Sequence, residues 1–369
     1  MSVSNLFFLT FVLSSQSLLN MNEYIELLKS LISIPSLSKD EQDAAILVRQ
    51  FLDRSEVKYG FKVNNTWIRN QYWKEGLPVI LLNSHIDTVK PASGYKRDPF
   101  SPDVEDGILY GLGSNDAGGA LVTLLAVFMH FNKKENLPFN LIYAASAEEE
   151  ISGINGLASI LDELGPLSLA IVGEPTQMKL AIAEKGLMVL DCTAHGKSGH
   201  AAREEGENAI YKAIADIEKL RNFRFENVSD ILGAVKMSVT IINAGTQHNV
   251  VPDLCSFVVD VRTNEFYSNQ AAFRIIDELI DSEVKPRSFR LNSSGIPVDH
   301  PIVQRGIELG LNYYGSPTTS DQAVIPYPSV KIGPGDSARS HTADEYILIS
   351  ELEEGFKIYV DLLTDLALV

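Results

Sequence analysis

The sequence predicts an α/β fold, a mostly parallel sheet flanked by helices, with a small α+β sandwich inserted into the chain. Three observations support this. From Met21 onward, short apolar runs alternate with helical stretches, the rhythm of strand–helix–strand units that build a parallel sheet. Between about Gly186 and Ser293 the order changes to β-α-β-β-α with alternating strands, which describes a sandwich of its own. The first rhythm resumes near Asp299, so the large domain is expected to be discontinuous, with residues 21–185 and 294–369 enclosing an insert at 186–293.

Taken in order, residues 1–20 (MSVSNLFFLTFVLSSQSLLN) have the apolar body of an export signal, but no Lys or Arg precedes it and the first is Lys29. The stretch is too short and too interrupted by Ser and Asn for a membrane span. Met21 then opens an amphipathic helix, MNEYIELLKSLISIPS. The preferred reading is an over-extended start with Met21 as first residue and a cytoplasmic product; a cryptic signal is the alternative. The run LPVILLNSHIDTV (77–89) is a buried strand. A glycine-rich entry leads into the helix AGGALVTLLAVFMHF, followed by strands in FNLIYAASA (139–147) and LSLAIVG (167–173). The insert contributes LMVLDCTAHG, the helix NAIYKAIADIEKLRNF, strands in AVKMSVTIINAG and CSFVVDVRTNE, and a helix around QAAFRIIDELIDSE. SVKIG (329–333) returns to the large sheet.

Composition narrows the function classes. A chain of 369 residues, 45% hydrophobic and 21% charged, is an ordinary globular protein of about two domains. Its formal charge of −17 repels phosphate backbones and anionic lipid heads, which disfavours nucleic-acid and membrane partners. Cys192 and Cys255 sit in strand-like apolar runs and lack a CxxC partner, so both read as reduced core thiols.

The chemistry is in the strand tips. The 77–89 run ends on His85 and Asp87, the loop GLGSNDAGG delivers Asp116, FNLIYAASA runs into Glu148, Glu149 and Glu150, LSLAIVG runs into Glu174, and KIGPGDSARSHTADE delivers His341. Ligands bind outside the carboxyl ends of the strands in open α/β sheets. One such tip is an ordinary turn. Several converging on one edge concentrate negative charge that cations must neutralise, the alternative being a solvated acidic rim. Histidines mixed with carboxylates suit zinc first, then cobalt or manganese. Two such ions about 3.5–4 Å apart can share a carboxylate and activate a water. The segment PTTSDQA (317–323) is read as lining the pocket near His341 through Ser320 and Asp321. His130 ends a helix, where a cation suits the dipole; with His195, His248 and His300 it is read as structural.

The motifs SHIDTV, GSNDAGG, AEEE, GEP, GKSGHAA, HNVVP and SHTADE follow one another in the order found in the dinuclear zinc hydrolases typified by acetylornithine deacetylase, succinyl-diaminopimelate desuccinylase and carboxypeptidase G. The chain resembles this family from Met21 to Val369, and most closely the acetylornithine deacetylase group. The resemblance implies that the discontinuous domain is catalytic, the insert a dimerisation or lid domain, and the protein a homodimer. It implies two zinc ions, with His85 and Glu174 on one, Glu150 and His341 on the other, and Asp116 bridging both. Glu149 matches the general base and Asp87 the acid that orients His85. The family usually has Asp where Glu148 stands, which leaves the register of base and ligand open by one residue. In the insert, His200 matches a histidine that reaches a partner's active site, while Asn249 and Arg262 match residues that hold substrate oxygens. A guanidinium fork suits an α-carboxylate.

The expected reaction is therefore hydrolysis of an N-acyl amino acid, N-acetylornithine or an N-acyl-citrulline, as in arginine biosynthesis. Alternatives are a succinyl-diaminopimelate desuccinylase, a dipeptidase or carboxypeptidase of the same family, or a catalytically silent dimeric scaffold.

Overall fold

A computed structural model describes residues 21–203 and 205–368; the reading of residues 1–20 lies outside the described residues. Among the described residues, no helix is long and apolar enough to cross a membrane. The chain divides into two compact units. The first comprises residues up to Ile182, Ile296–Tyr314 and the segment from Ser320 onward, and the second Ala183–Gly295 with Gly315–Thr319.

The first unit is built on a mixed sheet. Its strands follow the order Tyr59–Lys62, Asn65–Arg69, Asn140–Ser146, Val79–His85, Leu169–Val172, Ser329–Lys331 and Leu180–Glu184. The four strands from Asn140–Ser146 to Ser329–Lys331 are mutually parallel, with His85 opposite Ser146, Asn83 opposite Val172, and Val172 opposite Lys331. Their carboxyl ends therefore share one edge. Val79–His85 and Asn140–Ser146 are almost wholly buried, which explains why they read as continuous apolar runs rather than alternating ones. The flanking hairpin 59–69 pairs antiparallel with Asn140–Ser146.

The helix Gly119–Asn132 is apolar on every face because it is buried on every face, with Leu121, Val122, Leu124, Leu125, Val127 and Phe128 in the core. It packs against the sheet and against the helix Ile349–Leu363. Burial of each large side chain contributes about 1.5–3 kcal/mol. A smaller antiparallel sheet joins Val104–Glu105, Ile108–Tyr110 and Tyr346–Leu348.

The second unit has an antiparallel sheet in the order Lys236–Ala244, Leu254–Arg262, Met188–His195 and Glu283–Pro286. Alternate residues Met188, Leu190, Cys192 and Ala194, and Cys255, Phe257, Val259 and Val261, are buried in its core. Its helices Ala209–Asn222 and Asn269–Leu279 begin at side-chain caps, Asn208 accepting from Ile210 N and Ser268 from Ala271 N. The second helix ends earlier than its amphipathic run suggests. Ile280 is extended and the chain enters the short strand Glu283–Pro286, where Val284 is buried beside Cys192. Cys192 and Cys255 are free and buried.

Gly333 sets the spacing at the strand tips. A Cβ on it would lie 2.5 Å from the Glu174 carbonyl oxygen and 3.1 Å from Glu174 N. Gly333→Ala is expected to cost about 1–3 kcal/mol by overpacking. Urea unfolding checks this, and an unchanged midpoint would mean that the two segments separate without cost.

Candidate metal centre

His85 closes its strand with 2% of its surface exposed. Its Nδ1 lies 2.9 Å from the Asp87 carbonyl oxygen and 3.6 Å from Asp87 Oδ1. An acceptor there puts the neutral ring's proton on Nδ1 and leaves the Nε2 lone pair free. Nε2 is buried and has no hydrogen-bond partner. Around it stand Asp116 Oδ1 at 3.4 Å, Glu174 Oε1 at 3.7 Å and Glu149 Oε2 at 3.9 Å. An orphaned imidazole nitrogen facing acceptor oxygens is what a cation between them would satisfy.

A second imidazole completes the cluster. His341 Nε2 is 3.0 Å from Glu150 Oε2 and 3.6 Å from Asp116 Oδ2. Asp116 thus turns Oδ1 to His85 and Oδ2 to His341. Two groups of donor atoms result, His85–Asp116–Glu174 and Asp116–Glu150–His341, each lying within 4.8 Å. The residues fit a pair of divalent ions with mixed imidazole and carboxylate ligands.

The three consecutive glutamates divide by geometry. Glu148, at φ 52°, is buried and turned away, its carboxylate accepting from Asn155 N at 3.2 Å and Asn155 Nδ2 at 2.9 Å. Glu149 and Glu150 belong to the cluster, and their backbone N–H groups donate to Asp87 Oδ1 and Oδ2 at 3.0 and 3.2 Å. Asp87 also accepts from Ser38 Oγ at 2.7 Å. Asp87 therefore orients the His85 ring through its backbone carbonyl and the Glu149–Glu150 backbone through its carboxylate.

Crowding shows in the proton affinities. Burial, offset by His85 and reinforced by Asp116, pushes Glu174 up to about 8. Burial likewise holds Glu149 well above the carboxylate range, against the pull of His85. Although burial alone lowers it, the Asp116 and Asp87 carboxylates hold His85 well above its ordinary value. The Glu150 carboxylate raises His341 to about 9. Asp116 and Asp87 are held low despite burial, chiefly by His85.

Ser320 caps a helical turn, accepting from Gln322 N. Asp321 is buried, accepts from Ser146 Oγ at 2.6 Å and is pushed by burial up to about 6. His200, Asn249 and Arg262 belong to the second unit. His200 sits on the two-residue strand Gly199–His200, and its Nδ1 accepts from Ala202 N at 3.1 Å. Asn249 O accepts from Ala201 N at 3.0 Å. Arg262 ends its strand with Nε and Nη2 on Asp260 at 2.9 and 3.1 Å, and Nη1 3.3 Å from Thr319 Oγ1. His130 departs from the cationic role expected of a helix end, because burial and then Lys134, 3.0 Å away, lower its pKa. No signal in the sequence singles out Glu345, which accepts from Asn115 N and Asp116 N, or Asn115, whose side chain bonds Asp336 across to the His341 loop. Glu345 stands inside the SHTADE motif, of which only the histidine was used.

The pattern defining Peptidase family M20/M25/M40 matches residues 81–365. The succinyl-diaminopimelate desuccinylase of Wolbachia pipientis subsp. Culex pipiens (strain wPip) is 26% identical over 368 residues, covering 91% of each chain. Aminopeptidase PepT from Bacillus cereus ATCC 10987 shares the fold, with a TM-score of 0.76 at 18% identity over 94% of this chain and 99% of that one. So does Bacillus subtilis YXEP, a dinuclear metal binding peptidase, with a TM-score of 0.72 at 18% identity over 95% and 99%.

Glu174, Glu345, His341 and His85 all have raised values, so the folded metal-free protein binds more protons than the unfolded chain at neutral pH. Its stability falls as pH rises through those values. Asp87 and Asp116, held low, lose their contribution only on acidification, and the lowered His130 and His300 act in the opposite sense, on the acid side of this window. Without metal, the thermal midpoint is expected to drop between about pH 7 and 8.5, and divalent ions are expected to flatten that slope. A metal-free midpoint that climbs over this window would contradict the electrostatics.

Proposed function

This chain belongs to peptidase family M20/M25/M40, and on that premise we propose that it is a two-metal hydrolase cleaving the amide of a small N-acyl amino acid, with an N-succinyl diamino acid as the first substrate to consider. The observation that supports it most is the pair of donor groups sharing Asp116, with His85 Nε2 buried and otherwise without a partner. The name of the Wolbachia relative favours the succinyl reading over the acetylornithine or acyl-citrulline reading preferred from sequence.

His85 and Glu174 would hold one ion, Glu150 and His341 the other, and Asp116 both. When bound, the ions would supply polarisation of the acyl carbonyl and acidification of water. Glu149 is the base. It takes a proton from water as the oxygen adds to the acyl carbon, and returns it to the nitrogen as the C–N bond breaks, leaving a carboxylic acid and a free amine. Its raised proton affinity suits a group that must both accept and release. Asp87 keeps His85 in the tautomer that presents Nε2.

His200, supplied by a second copy, is the donor to the developing oxyanion. Because Nδ1 accepts from Ala202 N, the neutral ring carries its proton on Nε2. Asn249 and the Nη1 edge of Arg262 hold substrate oxygens, since Asp260 occupies the other edge. Asp321 supports the end of the strand Asn140–Ser146 by accepting from Ser146 Oγ, and Ser320 caps the turn that carries it. A homodimer is supported by the sheet edge Lys236–Ala244, where Ile241 and Ile242 are each 50% exposed. Ile242→Lys is expected to shift sedimentation toward monomer, and an unaltered dimer would place the interface elsewhere.

The central test follows amine release from N-succinyl-diaminopimelate and from N-succinyl and N-acetyl ornithine and citrulline. Chelator should abolish release and zinc restore it, with the succinyl diamino acid turned over best. Glu149→Ala should retain its metal and lose about 10²–10⁴ in kcat. Unchanged turnover in that variant would remove Glu149 from the mechanism. Silence on every substrate with two ions bound would point to a dipeptidase or carboxypeptidase.

A further inference from the structure

The two donor groups are held in different ways. His85 and Glu174 stand at or just beyond the ends of adjacent paired strands, Val79–His85 and Leu169–Val172. His341 stands on a loop at φ 59°, its side chain 55% exposed, and Asp116 stands on the turn Ser114–Gly118 before the buried helix. The antiparallel pair Ile108–Tyr110 and Tyr346–Leu348 joins the two loops only at their bases. Beyond that pair, two side chains span them.

Glu345, four residues beyond His341 and 1% exposed, accepts from the backbone N–H of Asn115 and of Asp116, both 2.9 Å from the same Oε1. Its own carbonyl accepts from Gly111 N at 2.9 Å. In return, Asn115 reaches the His341 loop. Its Oδ1 accepts from Asp336 N at 3.0 Å, and its Nδ2 donates to Asp336 O at 3.1 Å and to Ser340 Oγ at 3.3 Å. Each loop grips the backbone of the other, and the grips close beside Asp116 and His341.

We propose that Glu345 is a positioning residue that, with Asn115, holds the Asp116 carboxylate in register with His341, so that the Asp116–Glu150–His341 site exists only while this clamp is closed. The inference rests on the two-metal reading above. Because His85 and Glu174 are set by the sheet, the group they form with Asp116 keeps two placed donors, and loss of the clamp falls more heavily on the His341 side. The clamp needs an acceptor rather than a charge, since two N–H groups converge on one oxygen. A glutamine keeps that oxygen and an alanine removes it.

The test loads wild type, Glu345→Gln and Glu345→Ala with zinc, measures bound metal after dialysis, and follows each site by calorimetric titration alongside kcat and KM. Wild type should hold two ions. Glu345→Ala should keep one tight ion, weaken the second by about 10–100-fold, the usual effect of losing a ligand's support, and lose kcat far more than KM. Glu345→Gln should regain the second ion. Asn115→Ala, which opens the other half of the clamp and leaves Glu345 in place, should lose the same ion, so the question stays decidable if Glu345→Ala does not fold. Two ions bound with wild-type affinity in either alanine variant would overturn the proposal, as would equal loss of both ions. A wild type that fails to bind two ions would instead overturn the two-metal reading.

Discussion

Negative charge with little access to water is the constraint on which this site depends. Asp87, Asp116, Glu149, Glu150 and Glu174 crowd around two imidazoles at one sheet edge. An ionised carboxylate taken out of water without compensation costs more than the net stability of a domain. Each must find a cation, a proton or a set of N–H donors. Asp87 takes N–H groups and a hydroxyl, and burial raises the proton affinity of Glu174. Asp116, Glu149 and Glu174 face His85 Nε2, and Asp116 and Glu150 face His341 Nε2, where divalent ions would answer the charge.

That solution requires accuracy, and the fold supplies it unevenly. Parallel pairing aligns the ends of Asn140–Ser146, Val79–His85 and Leu169–Val172 to within a residue or two of register, and the buried helix Gly119–Asn132 presses behind them. Strand-borne donors need little further help. Loop-borne donors are gathered by acidic side chains that accept from backbone N–H groups, Asp87 for Glu149 and Glu150, and Glu345 for Asn115 and Asp116. Carboxylates near this centre thus divide between those that face the donor cluster and those that brace the backbone under it.

This division explains what could be read from the sequence. Strands buried on both faces announce themselves as apolar runs ending in His or Glu, and 139–147, 167–173 and 329–333 all contain the strands expected of them. The hairpin 59–69 was not legible, because YGFK and NTWIR mix polar, aromatic and glycine residues on an edge that is partly exposed. The strand Glu283–Pro286 was hidden by a helical-looking run into DSE. Bracing residues were missed for a different reason. Glu345 and Asn115 make their contacts more than two hundred positions apart, and no local pattern distinguishes a bracing glutamate from a solvated one.

The run Glu148-Glu149-Glu150 shows how little separates the two uses of a carboxylate. Three adjacent glutamates on an extended strand would alternate faces, sending the first and third one way and the second the other. Here Glu148 adopts φ 52°, a left-handed turn rare for a residue with a side chain. Gly153 makes room for it: a Cβ there would collide with the Glu148 side chain. Asn155 then satisfies the Glu148 carboxylate from both its backbone and its amide. With the first glutamate turned away, Glu149 and Glu150 lie in a turn rather than a strand, and both of their N–H groups donate to Asp87. Which of the three faces away is therefore set outside the glutamates, by a glycine and an asparagine downstream that accommodate the first of them.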